Sequence, residues 1–356
     1  MKITKLGSIE ISTDLMLAPM MDVTTPTYVL LCKHYGGVGL YTMPMVFINQ
    51  IAQAPKTIRP IAEFVEKYRP SGVQICGSGR SPEITLKAVE ILNSYNFDFL
   101  DINCGCPARR TCSSGGGVSL MRSHRFQDLR NLIHTTIKTS NKPVSVKIRL
   151  GWDSTDGLKD IVKLINDEGA SFLTIHGRLG NQKYSGKVNL DLMRKIKSWS
   201  DIPVVGNGDV IDALSYRLMK KKTNVDAIMI GRGSQGYPSI FSDILDSLNK
   251  KDFTQSLTEC SHYYGEWRNK VTHINTLDNI QDYIRELLSI IEDLGQYWNN
   301  ERYKLKELRR NAIWMLKGLN NSRKTKSTIG RSKSLSDLLD YIFNGKLEED
   351  LKNVKK

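Results

Sequence analysis

Eight short apolar runs, separated by segments with helical spacing, constrain the fold of this chain more than any other feature. The runs span residues 15–20, 39–45, 71–76, 97–103, 143–150, 172–177, 203–208 and 227–233. They are apolar on both faces, as strands of a buried parallel sheet are. The stretches between them, such as TLKAVEILNSY and LKDIVKLINDEGA, space apolar residues by three and four, which is typical of helices that cover a sheet.

Eight strand–helix units of this size predict an α/β fold, a (β/α)₈ TIM barrel. A doubly wound open sheet is the alternative, and the eightfold count argues against it. After about residue 246 the strand pattern ends, and the apolar residues of DNIQDYIRELLSIIEDL fall at helical spacing. We therefore predict a barrel domain over residues 1–245 and an all-helical domain over residues 246–356.

Polar or otherwise distinctive residues close nearly every apolar run. They are Met20, Gln74, Asn103 with Cys106, Lys147 with Arg149, His176 with Arg178, Asn207 and Arg232. The loops after the strands form the active face of such a barrel, so these residues are candidates for a site. Each alone fits a buried structural role equally well, but seven strand ends together favour function.

The loops after the last two runs, GNGDV and IGRGSQG, are rich in glycine. Glycine lets backbone N–H groups approach a phosphate closely, and barrel phosphate sites commonly lie in this position. Either loop alone also fits a tight turn, whereas the pair predicts a phosphorylated cofactor. Lys147 supplies a cation to face that cofactor.

The charge balance favours a polyanionic partner. The chain has 51 Lys and Arg against 37 Asp and Glu, which gives a net charge of +14. Cations are dense over residues 302–333, where Glu307 is the one acid, and they alternate with Ser and Thr that suit phosphates. Candidate RNA contacts there are Arg309, Arg310, Lys317 and Arg323. A solvated helix face is the alternative.

No apolar run approaches the roughly 20 residues that span a bilayer, and the N-terminus lacks a signal-peptide core. We therefore expect a cytoplasmic protein that does not bind membranes. Nothing in the sequence implies a protein partner, so a monomer is expected.

Three cysteines, Cys104, Cys106 and Cys112, lie in the segment DINCGCPARRTC. A reducing compartment disfavours a disulfide, and the C-x-C-x₅-C spacing lacks the second ligand pair of a zinc site, so no metal is predicted. A thiol is mostly protonated at neutral pH and can donate a proton. Cys104, which alternates with Cys106 about Gly105, is interpreted as a packed core residue.

These motifs resemble those of the dihydrouridine synthases, FMN-dependent enzymes that reduce uridine in tRNA. The matching segments are LAPMMDVT, VQICGS, DINCGCPARR, VKIRLGWD, HGR, GNGD and IGRG, in the order of that family. RRNAIWMLKGL, residues 309–319, is similar to the family's C-terminal helical domain, though more loosely. The chain departs from the family at Met43, where an acid would fall.

The resemblance implies a role for each candidate residue. Cys106 would be the catalytic acid, Asn103, Arg149 and Arg178 would face the substrate nucleotide, and NADPH or NADH would be the electron donor. FMN would be held by Pro19, Met20, Met21, Gln74, Lys147, His176, Asn207, Gly208, Asp209, Gly231 and Arg232.

Two alternatives remain open. A flavin barrel that reduces a free pyrimidine, in the manner of dihydroorotate dehydrogenases, would not need the basic segment. A tRNA-binding protein without the reaction would need neither Cys106 nor a reducible flavin.

Overall fold

The computed structural model describes residues 3–249, 277–295, 297–317, 319 and 322–352. Eight parallel strands form a closed barrel in the order β10-β3-β4-β5-β6-β7-β8-β9. They are β3 (Leu15–Leu17), β4 (Leu40–Phe47), β5 (Ser71–Cys76), β6 (Phe99–Cys104), β7 (Val144–Ile148), β8 (Phe172–His176), β9 (Val204–Asn207) and β10 (Ala227–Ile230). All eight predicted strands and the (β/α)₈ fold are confirmed.

A short antiparallel hairpin, β1 (Thr4–Leu6) and β2 (Ile9–Ile11), precedes the barrel and was not predicted. Gly7, at a φ of 63°, makes its turn. The buried residues of the hairpin pack with the ring pair Phe99–Phe172, whose centroids lie 5.3 Å apart inside the barrel. The hairpin therefore covers the end of the barrel opposite the strand-end loops.

Among residues 3–249, ten helices lie between or after the barrel strands. They are α1 (Pro26–Tyr35), α2 (Ile48–Gln53), α3 (Arg59–Lys67), α4 (Pro82–Asn93), α5 (Arg109–Ser113), α6 (Phe126–Thr139), α7 (Leu158–Asp167), α8 (Leu190–Trp199), α9 (Ala213–Thr223) and α10 (Ile240–Asn249). Short 3₁₀ turns lie at Pro55–Thr57, Gly117–Met121, Ser123–Arg125 and Arg232–Ser234. Helix α10 crosses position 245, where the sequence placed a domain boundary. The sequence also predicts a linker at LNKKDFTQS and a core position for Cys260, and residues 250–256 of that linker and Cys260 lie outside the described residues.

Five helices form the C-terminal part of the described chain. They are α11 (Leu277–Asp293), α12 (Glu301–Met315), α13 (Ser322–Arg331), α14 (Leu335–Phe343) and α15 (Lys346–Lys352). Helix α11 buries Ile280, Ile284, Leu287 and Ile291, as its spacing predicted, and packs against α1. The apolar residues of both parts form one continuous core. No described helix is both long and apolar enough to cross a membrane.

Candidate active site

A cavity of about 600 Å³ opens at the carboxyl ends of the barrel strands, and all eight strands or their following loops line it. Its wall contains all eleven residues that the resemblance implied for the cofactor, from Pro19 to Arg232. Cys106, Asn103 and Arg149 also line it. Residues scattered over more than 200 positions therefore meet in one space.

A chain of buried hydrogen bonds orients the side-chain amides of Gln74 and Asn103, which lie next to the Cys106 turn. Asp101 accepts from Gln74 Nε2 at 2.6 Å and from the Ser145 hydroxyl at 2.6 Å. Gln74 Oε1 then accepts from Asn103 Nδ2 at 2.8 Å, and Asn103 Oδ1 accepts from the backbone N–H of Cys106 at 2.9 Å. Because an ionised carboxylate only accepts, Asp101 fixes the orientation of both amides and, through them, the Cys106 turn.

The three cysteines have different environments. Successive residues of a strand point to opposite sides, so Cys104 faces the helices while Asn103 faces the cavity. Cys104 is fully buried, which raises the pKa of its thiol well above the usual value. Cys106 is partly exposed in the cavity wall, and its Sγ lies 3.4 Å from Thr111 Oγ1. Cys112 Sγ lies 3.6 Å from the Cys106 carbonyl oxygen.

The motif cysteines do not form part of a metal-binding cluster among the described residues. In the described part of the chain, no group of three or more His, Cys, Asp or Glu residues lies close enough to hold a metal ion. Cys32 and Cys76, whose apolar sequence neighbours predict core positions, are buried core residues. Of the three motif cysteines, Cys106 is the one whose side chain lines the cavity.

Lys147, His176 and Asn207 form a polar cluster at the base of the cavity. Asn207 Nδ2 donates to the Met229 carbonyl at 2.8 Å, which directs Oδ1 toward Lys147 Nζ and His176 Nδ1, each at 3.1 Å. His176 therefore carries its proton on Nδ1. Burial, followed by the neighbouring cations, holds the pKa of His176 well below its usual value, so the ring is neutral at pH 7. Burial also lowers the pKa of Lys147 to about 8.

Arg178 does not line the cavity, contrary to its expected contact with the substrate. It is fully buried behind the wall, where it donates to both oxygens of Asp209 at 2.7 and 2.6 Å and to the carbonyl oxygens of Ser185 and Gly186. The resemblance implied that contact, but the chain leaves β8 after His176 and the guanidinium of Arg178 lies against the loop carbonyls of Ser185 and Gly186. Arg178 neutralises Asp209, so that carboxylate does not repel an anion in the cavity.

Arg149 supports the Cys106 turn from the other side. Its Nε donates to the Gly105 carbonyl at 2.9 Å and its Nη1 to the Leu179 carbonyl at 2.8 Å. Burial lowers the pKa of Arg149 to about 10, which leaves it charged at pH 7. Two of its five N–H groups are used in these bonds, so others remain for a ligand.

The cavity residues that were not found from the sequence include Tyr184, Met45 and Phe47. Tyr184 lies beneath the guanidinium groups of Arg149 and Arg232, at 5.5 and 4.6 Å from its ring centroid. Met45 and Phe47 form the wall beside β4. The predicted cavity residues were identified because a polar side chain closes an apolar run. Tyr184, Met45 and Phe47 do not give that signal. Met43, where the family has an acid, faces the core and not the cavity.

The basic segment divides into buried and exposed cations. Arg310 is only 14% exposed, pairs with Glu307 and lies 5.5 Å from the Trp314 ring, so it belongs to the junction with the barrel. Arg309 is half-buried, and Arg323 on α13 is exposed. Lys317 is also half-buried; burial and then the nearby charge of Arg232 lower its pKa. Lys317 thus lies close to Arg232, at the Gly231 end of the cavity.

A closed (β/α)₈ barrel with a cationic, amide-lined cavity at its strand ends is typical of enzymes that bind a phosphorylated cofactor. The chain belongs to the dihydrouridine synthase family, whose model matches residues 16–342. The tRNA-dihydrouridine synthase B of Pasteurella multocida (strain Pm70) is 29% identical over 99% of both chains. A probable tRNA-dihydrouridine synthase of Rickettsia prowazekii (strain Madrid E) is 31% identical over 67% of this chain and 72% of its own.

Solved structures with the same barrel include morphinone reductase, at a TM-score of 0.51 and 12% identity over 68% of this chain and 88% of that chain. An old yellow enzyme homologue from Zymomonas mobilis has a TM-score of 0.52 at 14% identity, over 69% and 92% of the two chains. At this identity they support the fold alone. The family match confirms the predicted function, dihydrouridine formation in tRNA, and makes the chain an oxidoreductase.

Proposed function

We propose that this chain uses FMN, reduced by NADPH or NADH, to saturate the C5=C6 bond of uridine in tRNA, with Cys106 as the proton donor. The observation that carries the proposal is the meeting of Cys106, the oriented amides and the cationic wall in one cavity. The match to tRNA-dihydrouridine synthases supports it over the reduction of a free pyrimidine.

The cavity residues fit an anionic flavin. Four cations line the wall, Lys147, Arg149, Arg232 and Arg110, against the carboxylates of Asp22 and Asp209. Both carboxylates are already paired: Asp209 with Arg178 at 2.6 Å and Asp22 with Lys306 at 3.4 Å. The wall therefore favours a phosphate. A volume of about 600 Å³ lies within the range of about 300–1,000 Å³ usual for cofactor sites.

Glycines shape the end that would hold the phosphate. Gly208 has a φ of 122°, which side chains rarely adopt, and a Cβ on Gly233 would lie 2.3 Å from the Val210 carbonyl oxygen. Both positions bring backbone close to the cavity. Asn207, Gly208, Asp209, Gly231 and Arg232 would hold the phosphate there, and Pro19, Met20, Met21, Gln74, Lys147 and His176 would contact the ring.

The hydrogen bond to Asp101 determines whether Gln74 can offer a donor or an acceptor to the flavin ring. Gln74 Oε1 and one Nε2 hydrogen are used within the chain of buried hydrogen bonds, so the remaining N–H is what Gln74 can offer to a ligand. Asn103 likewise retains one N–H for a carbonyl of uracil. Both amides are therefore donors, which suits the carbonyl oxygens of flavin and uracil.

When bound and reduced, FMN supplies a hydride to C6 of the uracil ring. The negative charge that develops on the ring would be neutralised by a proton at C5, and Cys106, which lines the cavity, is the proposed donor of that proton. The uridine must leave the base stack to enter the cavity. Arg149 and Asn103 hydrogen-bond to the backbone of the Cys106 turn and so fix its position. Cys106 would regain its proton from solvent at the opening of the cavity.

The experiment combines purified FMN-loaded protein, NADPH or NADH, and unmodified tRNA transcript, and follows dihydrouridine by mass spectrometry of the digested nucleosides. We expect dihydrouridine in tRNA and no reduction of free uridine or orotate. Reduction of a free pyrimidine in the absence of tRNA would favour the dehydrogenase alternative. A flavin-loaded protein that leaves tRNA unchanged with both reductants would overturn the proposal.

A further inference from the structure

A second cleft, of about 440 Å³, adjoins the cavity on the barrel rim. The start of α2, the residues after β5 and helix α5 form it. Phe47 and Arg110 line both this side cleft and the main cavity. The two spaces are therefore neighbours that share one wall, and the proposed chemistry does not use the second.

The side cleft has the polarity of a nucleotide site. None of its eleven lining residues is acidic. Asn49, Gln50 and Gln53 place amides on one wall, and Ser78 and Ser114 supply hydroxyls. Amides and hydroxyls read base edges and sugar, and the absence of carboxylates from this wall avoids repulsion of phosphate.

The wall that the two spaces share carries two groups on which a base can stack, the Phe47 ring and the Arg110 guanidinium. The Arg110 guanidinium lies 5.9 Å from the centroid of the Phe47 ring. Aromatic rings and arginine planes are the surfaces on which unstacked RNA bases are held. Asn49 and Gln53 are exposed, and no hydrogen-bond partner is recorded for either side chain among the described residues, so both amides can bind a ligand.

The position of the side cleft suits a polymer. The helical domain abuts the loops after β3 and β10, whereas the side cleft lies among the loops after β4, β5 and β6. These are different sectors of the cavity rim. The exposed cations Lys56 and Arg109 extend the basic surface beyond the side cleft. An RNA held by the helices, with one nucleotide in the cavity, can continue into this sector.

We propose that the side cleft binds the nucleotide that adjoins the target uridine in the tRNA chain. The base stacks against Phe47 and Arg110, and the amides of Asn49 and Gln53 contact its edge or its phosphate. The inference rests on the proposed function, because it needs an RNA whose uridine enters the cavity.

The test places negative charge in the side cleft without changing the main cavity. The double variant Asn49→Asp/Gln53→Glu should weaken tRNA binding about tenfold or more, because carboxylates there repel phosphate. Gln53→Lys should instead tighten binding. Asn224→Asp is the matched control: Asn224 is exposed at the end of α9, on the opposite end of the barrel. Aspartate also tolerates its φ of 57°, so this variant should bind as wild type.

Three measurements on the FMN-loaded full chain separate the outcomes: tRNA affinity, flavin reduction by NADPH without RNA, and dihydrouridine formed in one turnover. Wild-type tRNA affinity of the double variant, or a loss equal to that of Asn224→Asp, would overturn the inference. Slower flavin reduction without RNA would assign the side cleft to the reductant and also overturn it. A wild-type protein that binds tRNA but forms no dihydrouridine defeats the proposed function instead.

Discussion

The barrel rim and the C-terminal helices use polar residues in opposite ways. Inside the rim, at the cavity, polar side chains such as Asp101, Gln74 and Asn103 are buried and share their partners. On the described C-terminal helices, exposed cations form simple pairs, such as Lys324 with Asp350 at 2.7 Å, or have no recorded ion-pair partner, such as Arg323. The rim therefore depends on orientation, and one change there affects its neighbours. The exposed helical surface contributes charge that accumulates residue by residue.

Side chains of the barrel and of the C-terminal helices contact one another directly at the junction between the two regions. Thr25, the N-cap of α1, donates to Glu307 at 2.8 Å, and Tyr28 packs edge-on against Trp314 with centroids 5.7 Å apart. Thr25 follows the loop that contributes Met20 and Met21 to the cavity. Removal of the helices would expose this surface and disturb the cavity, so single substitutions test the comparison better than truncation.

The largest effect is expected at the rim, from loss of the proposed acid. Cys106→Ala should slow single-turnover dihydrouridine formation by about 10²- to 10⁴-fold, because general acid catalysis typically contributes that much. Flavin content and tRNA affinity should not change. The controls are Cys104→Ala, which changes only a core residue, and Cys112→Ala, and both should stay active. A wild-type rate for Cys106→Ala, with a slow Cys112→Ala, would identify the other thiol as the donor.

Asp101 should give the next largest effect. Asp101→Leu leaves Gln74 without its acceptor, and an unpaired buried polar group costs about 1–3 kcal/mol, which corresponds to roughly fivefold to 150-fold in rate if it falls on catalysis. We expect kcat to fall while the KM for tRNA is unchanged.

The conservative control for that prediction is Asp101→Asn. Its oxygen can still accept from Gln74 while its NH₂ group donates to the Ser145 hydroxyl, which can accept. It should recover most of the activity. Equal losses in both variants would mean that the charge of Asp101, and not the orientation of the amides, is what matters.

A smaller effect is expected from the protonation of Lys147. Its pKa of about 8 lies below that of a free lysine because burial disfavours the charge. The side chain is charged below pH 8 and becomes neutral above it, so the affinity of the apoprotein for FMN should fall as pH rises. One proton limits the fall to about tenfold per pH unit.

Fluorescence titration of apoprotein with FMN between pH 7 and 9 measures this dependence. Lys147→Arg keeps its charge throughout the range and should give a flatter profile, even if its affinity is lower. The same slope in both proteins would place the titrating group elsewhere.

The smallest effect is expected on the helices. Arg323 on α13 is exposed, and no ion-pair partner is recorded for it among the described residues, whereas its neighbour Lys324 pairs with Asp350. If Arg323 contacts a phosphate, Arg323→Ala should reduce the slope of log K against log salt for tRNA by about 0.9. Lys324→Ala should change it less. Identical slopes for Arg323→Ala and wild type would remove Arg323 from the interface.

Much of the site was accessible from the sequence because a barrel converts strand ends into neighbours. Gln74, Lys147 and Asn207 each close an apolar run, and all three line the cavity. The closed barrel confirms the fold that the apolar runs predicted, and the family match confirms the function that the motifs predicted. Tyr184 was missed because it lies within a long loop, where no local pattern distinguishes a cavity residue from a solvated one.

The sequence by itself determined the eight barrel strands, the helices that cover them and the strand-end loops, because hydrophobic period and turn chemistry depend on near neighbours in the chain. The tertiary structure alone decided which charged and polar side chains contact one another. Arg178 follows His176 in sequence but turns away from the cavity to pair with Asp209, and Glu307 meets Thr25 from 282 positions away. Burial then set the pKa of Lys147. Such pairings depend on which loops the closed barrel brings together, and desolvation depends on everything packed around a group, so neither follows from a local pattern.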